Sequence, residues 1–127
     1  MSARQNFWIA LALTLSPVAG WTQSCDMISY NIDDARSRLQ RAARASDLDE
    51  GRDQARRAKS ALEDASMSAM DCKCDMAHME FDDAATRARR ARDASDGREF
   101  VENLNRAIKS YNSALDAVRV CASGRRR

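Results

Sequence analysis

Apolar residues recur at steps of three and four through most of the chain beyond residue 24, which is the spacing that lines one side of an α-helix. In the first half these residues are Cys25, Ile28, Ile32, Ala35, Leu39 and Ala42, then Ala55, Ala58, Leu62, Ala65, Ala69 and Cys72. In the second half they are Cys74, Ala77, Phe81, Ala84, Ala88 and Ala91, then Leu104, Ala107, Tyr111, Ala114, Val118 and Cys121. The pattern predicts an all-α fold of four amphipathic helices in two hairpins.

The two predicted hairpins are copies of one segment. Residues 25–72 align with residues 74–121 at a constant offset of 49, without a gap, and only Lys73 separates them. The alignment contains 17 identical pairs in 48 positions and places all four cysteines in register. Chance similarity between Ala- and Arg-rich helices does not explain that register, so we interpret the chain as a tandem repeat. It resembles helical-hairpin repeats in architecture only, and that likeness assigns no functional residues.

Each predicted hairpin contains one short turn. Asp47 followed by Glu50, and Asp96 followed by Glu99, fit a variant capping box, in which the Asp side chain accepts from the free amides of a new helix. Each turn therefore falls just before its Asp. Short loops make antiparallel neighbours of the helices that they join.

The repeats meet where the apolar stripe changes phase. Cys72 and Cys74 are two residues apart, whereas three or four would continue the stripe. The helix is therefore expected to break or kink within residues 71–75, with one long bent helix as the alternative. The two hairpins then pack either as a four-helix bundle or as a short solenoid.

Both helices of each hairpin carry a cysteine at the open end. When the helices are laid antiparallel with these cysteines opposite, large residues face small ones, as Ile28 faces Ala69. Close interdigitated packing requires that alternation. We predict two disulfides, Cys25 with Cys72 and Cys74 with Cys121, one of three possible pairings. Because Cys72 and Cys74 are neighbours, exchanged partners remain an alternative.

The N-terminus has the features of a signal peptide. Arg4 precedes an apolar run over residues 7–15, Pro17 is expected to break the helix, and cleavage is expected before Trp21. The run is shorter than the roughly 20 residues that span a bilayer, so we expect removal and no stable membrane anchor. The predicted segments are a signal peptide at 1–20, a short leader at 21–24, the repeats at 25–72 and 74–121, and a basic tail at 122–127.

The predicted export is consistent with the four cysteines of the chain. A periplasmic or secreted protein lies in an oxidising environment, where four cysteines form disulfides. About 100 mature residues are near the lower end of what one hydrophobic core supports, so covalent cross-links add needed stability.

The net charge of +2 hides an acidic body. The first repeat has 8 Lys/Arg against 10 Asp/Glu, and the second has 8 against 9. The positive balance comes from Arg4, Lys73 and residues 125–127. An acidic body without basic stripes interleaved with aromatic residues disfavours nucleic-acid binding.

Metal binding at the junction is an alternative function. Soft sulfur ligands together with an imidazole suit Cu(I), and such residues are dense there. The donor set for copper or zinc would be Cys72, Cys74, Met76, His78 and Met79. Two simpler interpretations compete with it: oxidised cysteines are not thiolate ligands, and methionines fill the gaps between packed hairpins.

No catalytic residues are predicted. His78 is the only histidine, and the sequence does not place a nucleophile or an orienting acid around it. In the acidic pairs Asp33–Asp34 and Asp82–Asp83, the second member is spaced for an ion pair with an arginine four residues on, Arg38 or Arg87. The chain has no phosphate-binding glycine loop, zinc motif or nucleophile elbow.

The favoured function is a non-enzymatic interaction or scaffold module with a protein partner. Packing, capping, ion pairs and disulfides account for the positions that the two copies share. Two aromatic residues, Tyr30 and Phe100, lie off the apolar stripes. We expect them to pack the hairpins together, with a partner surface as the alternative.

Overall fold

The computed structural model describes the backbone of residues 16–125 and, apart from Asp26, the side chains from Cys25 to Gly124. This part of the chain contains four helices and no strand: α1 Ser16–Ala43, α2 Leu48–Asp71, α3 Asp75–Arg92 and α4 Gly97–Arg125. The predicted all-α fold is confirmed. None of the described helices has an apolar stretch of the length and hydrophobicity that crossing a membrane requires.

The N-terminal helix is longer than the sequence predicts. Residues 16–20 are helical, so the prediction that Pro17 ends a helix before Val18 is wrong. Residues 1–15 of the predicted signal peptide, and Arg126 and Arg127 of the predicted basic tail, lie outside the described residues.

Both hairpin turns have the predicted cap. Asp47 Oδ1 accepts from the Glu50 amide at 2.8 Å, and Glu50 Oε1 accepts from the Ser46 hydroxyl at 2.8 Å. At the equivalent position of the second repeat, Asp96 Oδ1 accepts from the Glu99 amide, also at 2.8 Å. The glutamate reaches one residue further back than in the usual capping box, because the helix is preceded by Ser-Asp.

The junction between the repeats is a tight helix end, which excludes one long bent helix. The Cys74 amide donates to the Ala69 carbonyl and the Lys73 amide to the Met70 carbonyl, both at 2.9 Å. This pair of bonds is a Schellman motif, in which the residue after the cap adopts the left-handed conformation. Lys73 takes that position with φ 62°, and α3 then begins at Asp75.

The helices are antiparallel along the chain and pack in sequence order, α1 on α2, α2 on α3 and α3 on α4. Between the first and last helices contact is sparse, although the Tyr111 hydroxyl donates to the Ile32 carbonyl at 3.1 Å. The architecture is therefore a four-helix bundle that is open on one side. A cleft of about 240 Å³ lies along that side, bordered by Leu39, Ile108 and Leu115.

The core consists mainly of alanine. Phe81 and Leu62 are the largest apolar side chains that are completely buried, and the ring of Phe81 lies 6.3 Å from that of Tyr111. Small residues allow the helix backbones to approach closely, as the alternation of large and small residues predicts. Nearly all predicted stripe residues are buried; three of them are half-buried, namely Ile32, Val118 and Cys121.

The two off-stripe aromatic residues have different environments. Phe100 is buried against Gly51 and so joins the second hairpin to the first, as predicted. Tyr30 is 64% exposed, so the prediction that it packs between the hairpins is wrong. Tyr30 lies on the outward side of α1, where no other helix of the bundle covers it.

Candidate functional site

The four cysteines lie together at one end of the bundle, which we call the disulfide end. Cys25 is bonded to Cys72 with Cα atoms 5.1 Å apart, and Cys74 to Cys121 with Cα atoms 5.7 Å apart. The predicted pairing is confirmed; Cys72 and Cys74 are the residues that flank α2 and α3 at the junction, so each bond links a helix of its repeat to the junction. Two disulfides are typical of proteins in an oxidising compartment.

The structure does not assemble the metal site predicted from Cys72, Cys74, Met76, His78 and Met79. Both cysteines are in disulfides and supply no thiolate. The side chains of Met76 and Met79 are 65% and 64% exposed. In the described part of the chain, no three His, Cys, Asp or Glu residues are grouped as metal ligands.

His78 takes part in a polar contact across the seam between α2 and α3. Its Nδ1 atom lies 2.7 Å from Ser66 Oγ and 3.1 Å from the Ser66 carbonyl oxygen. Ser66 Oγ in turn donates to Asp82 Oδ1 at 2.7 Å. The contact links the last helix of the first repeat to the first helix of the second.

The proton positions in this contact follow from its acceptors. A serine hydroxyl has one proton, and a carboxylate can only accept, so the Ser66 proton points to Asp82. Nδ1 of His78 must then be the donor, both to Ser66 Oγ and to the Ser66 carbonyl. In the neutral imidazole this leaves Nε2 unprotonated, and its 3.6 Å separation from Asp82 Oδ2 is too long for a hydrogen bond.

This arrangement differs from that of a serine nucleophile with its base. Ser66 is 2% exposed, and its hydroxyl proton is directed to Asp82 and not to the imidazole. A cleft of about 440 Å³ borders Asp82, but the side chain of that residue is 59% exposed and lies among Lys59, Arg89 and other charged groups. The contact joins α2 to α3, and it does not present an activated nucleophile.

Ser66 was not identified from the sequence as a residue of this contact. It lies beside the stripe residue Ala65, and its counterpart in the second repeat is Leu115. A serine where the other copy has leucine was the available signal that this position faces a polar partner in the seam.

Large exposed apolar residues are concentrated at the disulfide end. Of the eight such residues in the described part of the chain, seven lie within five residues of a cysteine. We call these seven the apolar collar: Met27, Tyr30, Met67, Met70, Met76, Met79 and Val120. Their side chains are between 47% and 73% exposed. The eighth residue, Val101, lies near the opposite end, which we call the turn end.

Charge is also divided between the two ends. The half of the bundle nearer the disulfides, residues 25–34, 63–83 and 112–121, contains eleven Asp/Glu and two Lys/Arg. The half nearer the turns, residues 35–62 and 84–111, contains eight Asp/Glu and fifteen Lys/Arg. The arginines at 125–127 lie beyond these ranges. The net charge of the whole chain is close to zero and does not show this division. It appears only when residues are grouped by their position along the folded hairpins.

Comparison of the chain with protein-family models, with curated proteins and with solved structures finds no significant match. The function proposed below therefore rests on the geometry and chemistry of the molecule itself.

Proposed function

We propose that the protein is an exported, non-enzymatic interaction module that binds a partner protein at its disulfide end. The observation that carries this proposal is the apolar collar. Monomeric soluble proteins rarely expose clustered apolar side chains without a binding role. Here seven of the eight large exposed apolar residues in the described part of the chain lie at one end of a short bundle, and only Val101 lies near the other.

The collar favours a partner segment that is both apolar and basic. Asp71 and Asp75 lie between Met67 and Met79 in the chain, and Asp64 and Glu80 lie just outside that segment; the nearby cations are Lys73 and Arg119, with further arginines at 125–127. Opposite charge on the partner raises the rate of association and excludes acidic competitors. Methionine side chains are flexible and polarisable, so they adapt to apolar surfaces of different shape.

Export is part of the same proposal. The first 20 residues have signal-peptide features, and both disulfides are compatible with an oxidising compartment. Cleavage before Trp21 shortens α1 at its start and keeps Cys25 within the helix. The mature protein therefore retains both disulfides and the whole collar.

The proposal is tested with a model ligand of the stated chemistry. The mature protein, labelled at its methionine methyl groups, is titrated with an amphipathic helical peptide of about 15 residues made of Leu and Lys. We expect the collar methyl signals to shift and the affinity to fall as salt is added, because screening weakens the attraction. A Leu and Glu peptide of the same pattern is the matched control and should cause much smaller shifts.

Two variants locate the binding surface. Replacing Met67 and Met76 by serine removes apolar area from the collar and should weaken binding of the Leu and Lys peptide. Val101→Ser makes a similar change at an exposed apolar residue of the turn end and should leave binding unchanged. Equal binding of both peptides, or an effect of Val101→Ser as large as that of the collar variant, would contradict the proposal.

A further inference from the structure

We propose that the disulfide end also binds a soft monovalent metal ion, Cu(I), through the thioethers of Met67 and Met70 and Nε2 of His78. The site differs from the set predicted from the sequence because it uses no cysteine. Thioether and imidazole donors remain available when both disulfides are formed. The inference is independent of the partner proposed above, although the two share a surface.

The Nδ1 side of His78 is arranged as in a metal-ligating histidine. Its Nδ1 proton is donated to Ser66, at 2.7 Å from Oγ and 3.1 Å from the carbonyl oxygen. A ligating histidine typically donates its other ring N–H to an oxygen of the protein, which fixes the ring and directs the free nitrogen to the metal. The nitrogen left for a metal is Nε2, which lies 3.6 Å from Asp82 Oδ2, and the side chain of His78 is 27% exposed.

Helix geometry places the two thioethers beside this imidazole. The contact of Ser66 with His78 fixes these residues at the same level across the seam. Met70 lies one turn beyond Ser66, about 40° from it around α2, and Met67 lies about 100° from it, so Met70 is the nearer of the two to the seam. Helical side chains tilt toward the N-terminus of their helix. In antiparallel α2 and α3, Met70 and His78 therefore lean toward each other.

Both methionines are exposed, and they are neighbours on the surface of α2. Met67 and Met70 are 60% and 47% exposed, and residues three apart are neighbours on a helix surface. Met76 is equally exposed, at 65%, but lies two residues before His78, about 200° around α3. It therefore projects away from α2 and serves as the control.

The donor chemistry and the local charge select the ion. Two thioethers and one imidazole are neutral, soft donors that suit Cu(I), whereas Zn²⁺ sites are built from thiolates, imidazoles and carboxylates. The carboxylate of Asp82, with Oδ2 3.6 Å from Nε2, lies beside this donor set and opposes the charge of the ion. The acidic half of the bundle surrounds this seam and attracts cations. The seam between α2 and α3 occurs once in the molecule, and the other repeat has no methionine or histidine at the equivalent positions. The counterparts of Met67, Met70 and His78 are Asp116, Arg119 and Ser29.

Ag(I) is the probe, because it has the same ligand preference and needs no reductant that would open the disulfides. Disulfide-intact protein is titrated with silver nitrate in chloride-free buffer and followed by calorimetry and by the methionine methyl and histidine ring signals. We expect one ion per chain, with shifts at Met67, Met70 and His78.

Three variants test the donor set. Met70→Leu preserves apolar area, and His78→Ser introduces the residue of the first repeat. Each removes a ligand and should weaken Ag(I) binding by at least the roughly tenfold that loss of an outer-shell partner costs. Met76→Leu should bind as the parent does. Thermal unfolding of each variant shows whether the bundle is intact. Absence of binding, or equal binding by the intact Met70→Leu and Met76→Leu variants, overturns the inference. Met70→Leu should still bind the Leu and Lys peptide, so failure of the metal site and failure of the docking surface are distinguishable.

Discussion

Phe100 packs with its ring directly over Gly51. A methyl group on Gly51 would lie 2.8 Å from Cζ of Phe100, closer than a carbon contact allows. The two residues occupy equivalent positions of the repeats, 49 residues apart. The first repeat has glycine at this position, which leaves a space, and the phenylalanine ring of the second repeat fills that space. This difference between the two copies lets the N-terminal ends of α2 and α4 pack against each other.

Gly51→Ala should destabilise the protein, although alanine is the better helix former by about 0.5–1 kcal/mol. Overpacking against a buried ring costs about 1–3 kcal/mol, so we expect a net loss of about 1 kcal/mol in urea unfolding. In a Phe100→Leu background the clash is relieved, and the same change should become neutral or stabilising. A stabilising effect of Gly51→Ala in the parent protein would contradict the contact.

Lys73→Gly should stabilise the protein. Lys73 has φ 62°, a left-handed conformation that costs an L-residue about 1 kcal/mol and glycine almost nothing. Collar residues lie on both sides of this turn in the chain. The variant therefore also tests the left-handed backbone conformation that positions them. Lys73→Ala is the control for loss of the charge and should change stability little. If glycine and alanine had the same effect, the left-handed turn would be disproved.

Removal of either disulfide should cost the same amount. Both close segments with a sequence separation of 47, for which loop entropy gives about 4 kcal/mol. We expect the double variants Cys25→Ala with Cys72→Ala, and Cys74→Ala with Cys121→Ala, to show similar losses in thermal unfolding. Peptide mapping of the parent without reductant should recover only the two pairs within repeats, and a Cys25 to Cys121 peptide would refute the pairing.

Tyr111 should ionise at higher pH than an ordinary tyrosine. Burial raises the pKa of its hydroxyl above the ordinary value of 10.0. A raised pKa in the folded state contributes stability that is complete below about pH 10 and is lost as the pH rises through the folded-state value. Ultraviolet titration of Tyr30→Phe, which leaves Tyr111 as the only tyrosine, should show this midpoint above 10.0.

The same hydroxyl bridges the open side of the bundle, because it donates to the Ile32 carbonyl at 3.1 Å. Tyr111→Phe should therefore cost about 1 kcal/mol at neutral pH. A Tyr111 midpoint at or below 10.0 would mean that α1 and α4 do not enclose this side chain.

The sequence was sufficient for the fold because its signals are local and occur twice. Stripe spacing, the caps at Asp47 and Asp96, and the register of the cysteines depend on neighbours in the chain or on the offset between copies. The seam of α2 and α3 exists only once, so no second copy revealed that Ser66 meets His78. Tyr30 was misplaced because periodicity shows which residues leave the stripe, but not whether another helix covers them.

The central claim is that the disulfide end binds the partner. A photoreactive amino acid placed at Met76 in the exported protein, and in a second sample at Val101, compares the two ends at similar exposure, 65% and 51%. Position 76 should crosslink to one protein through a segment rich in basic and apolar residues, and position 101 should not. Crosslinking from position 101 alone, or the same products from both positions, would contradict it.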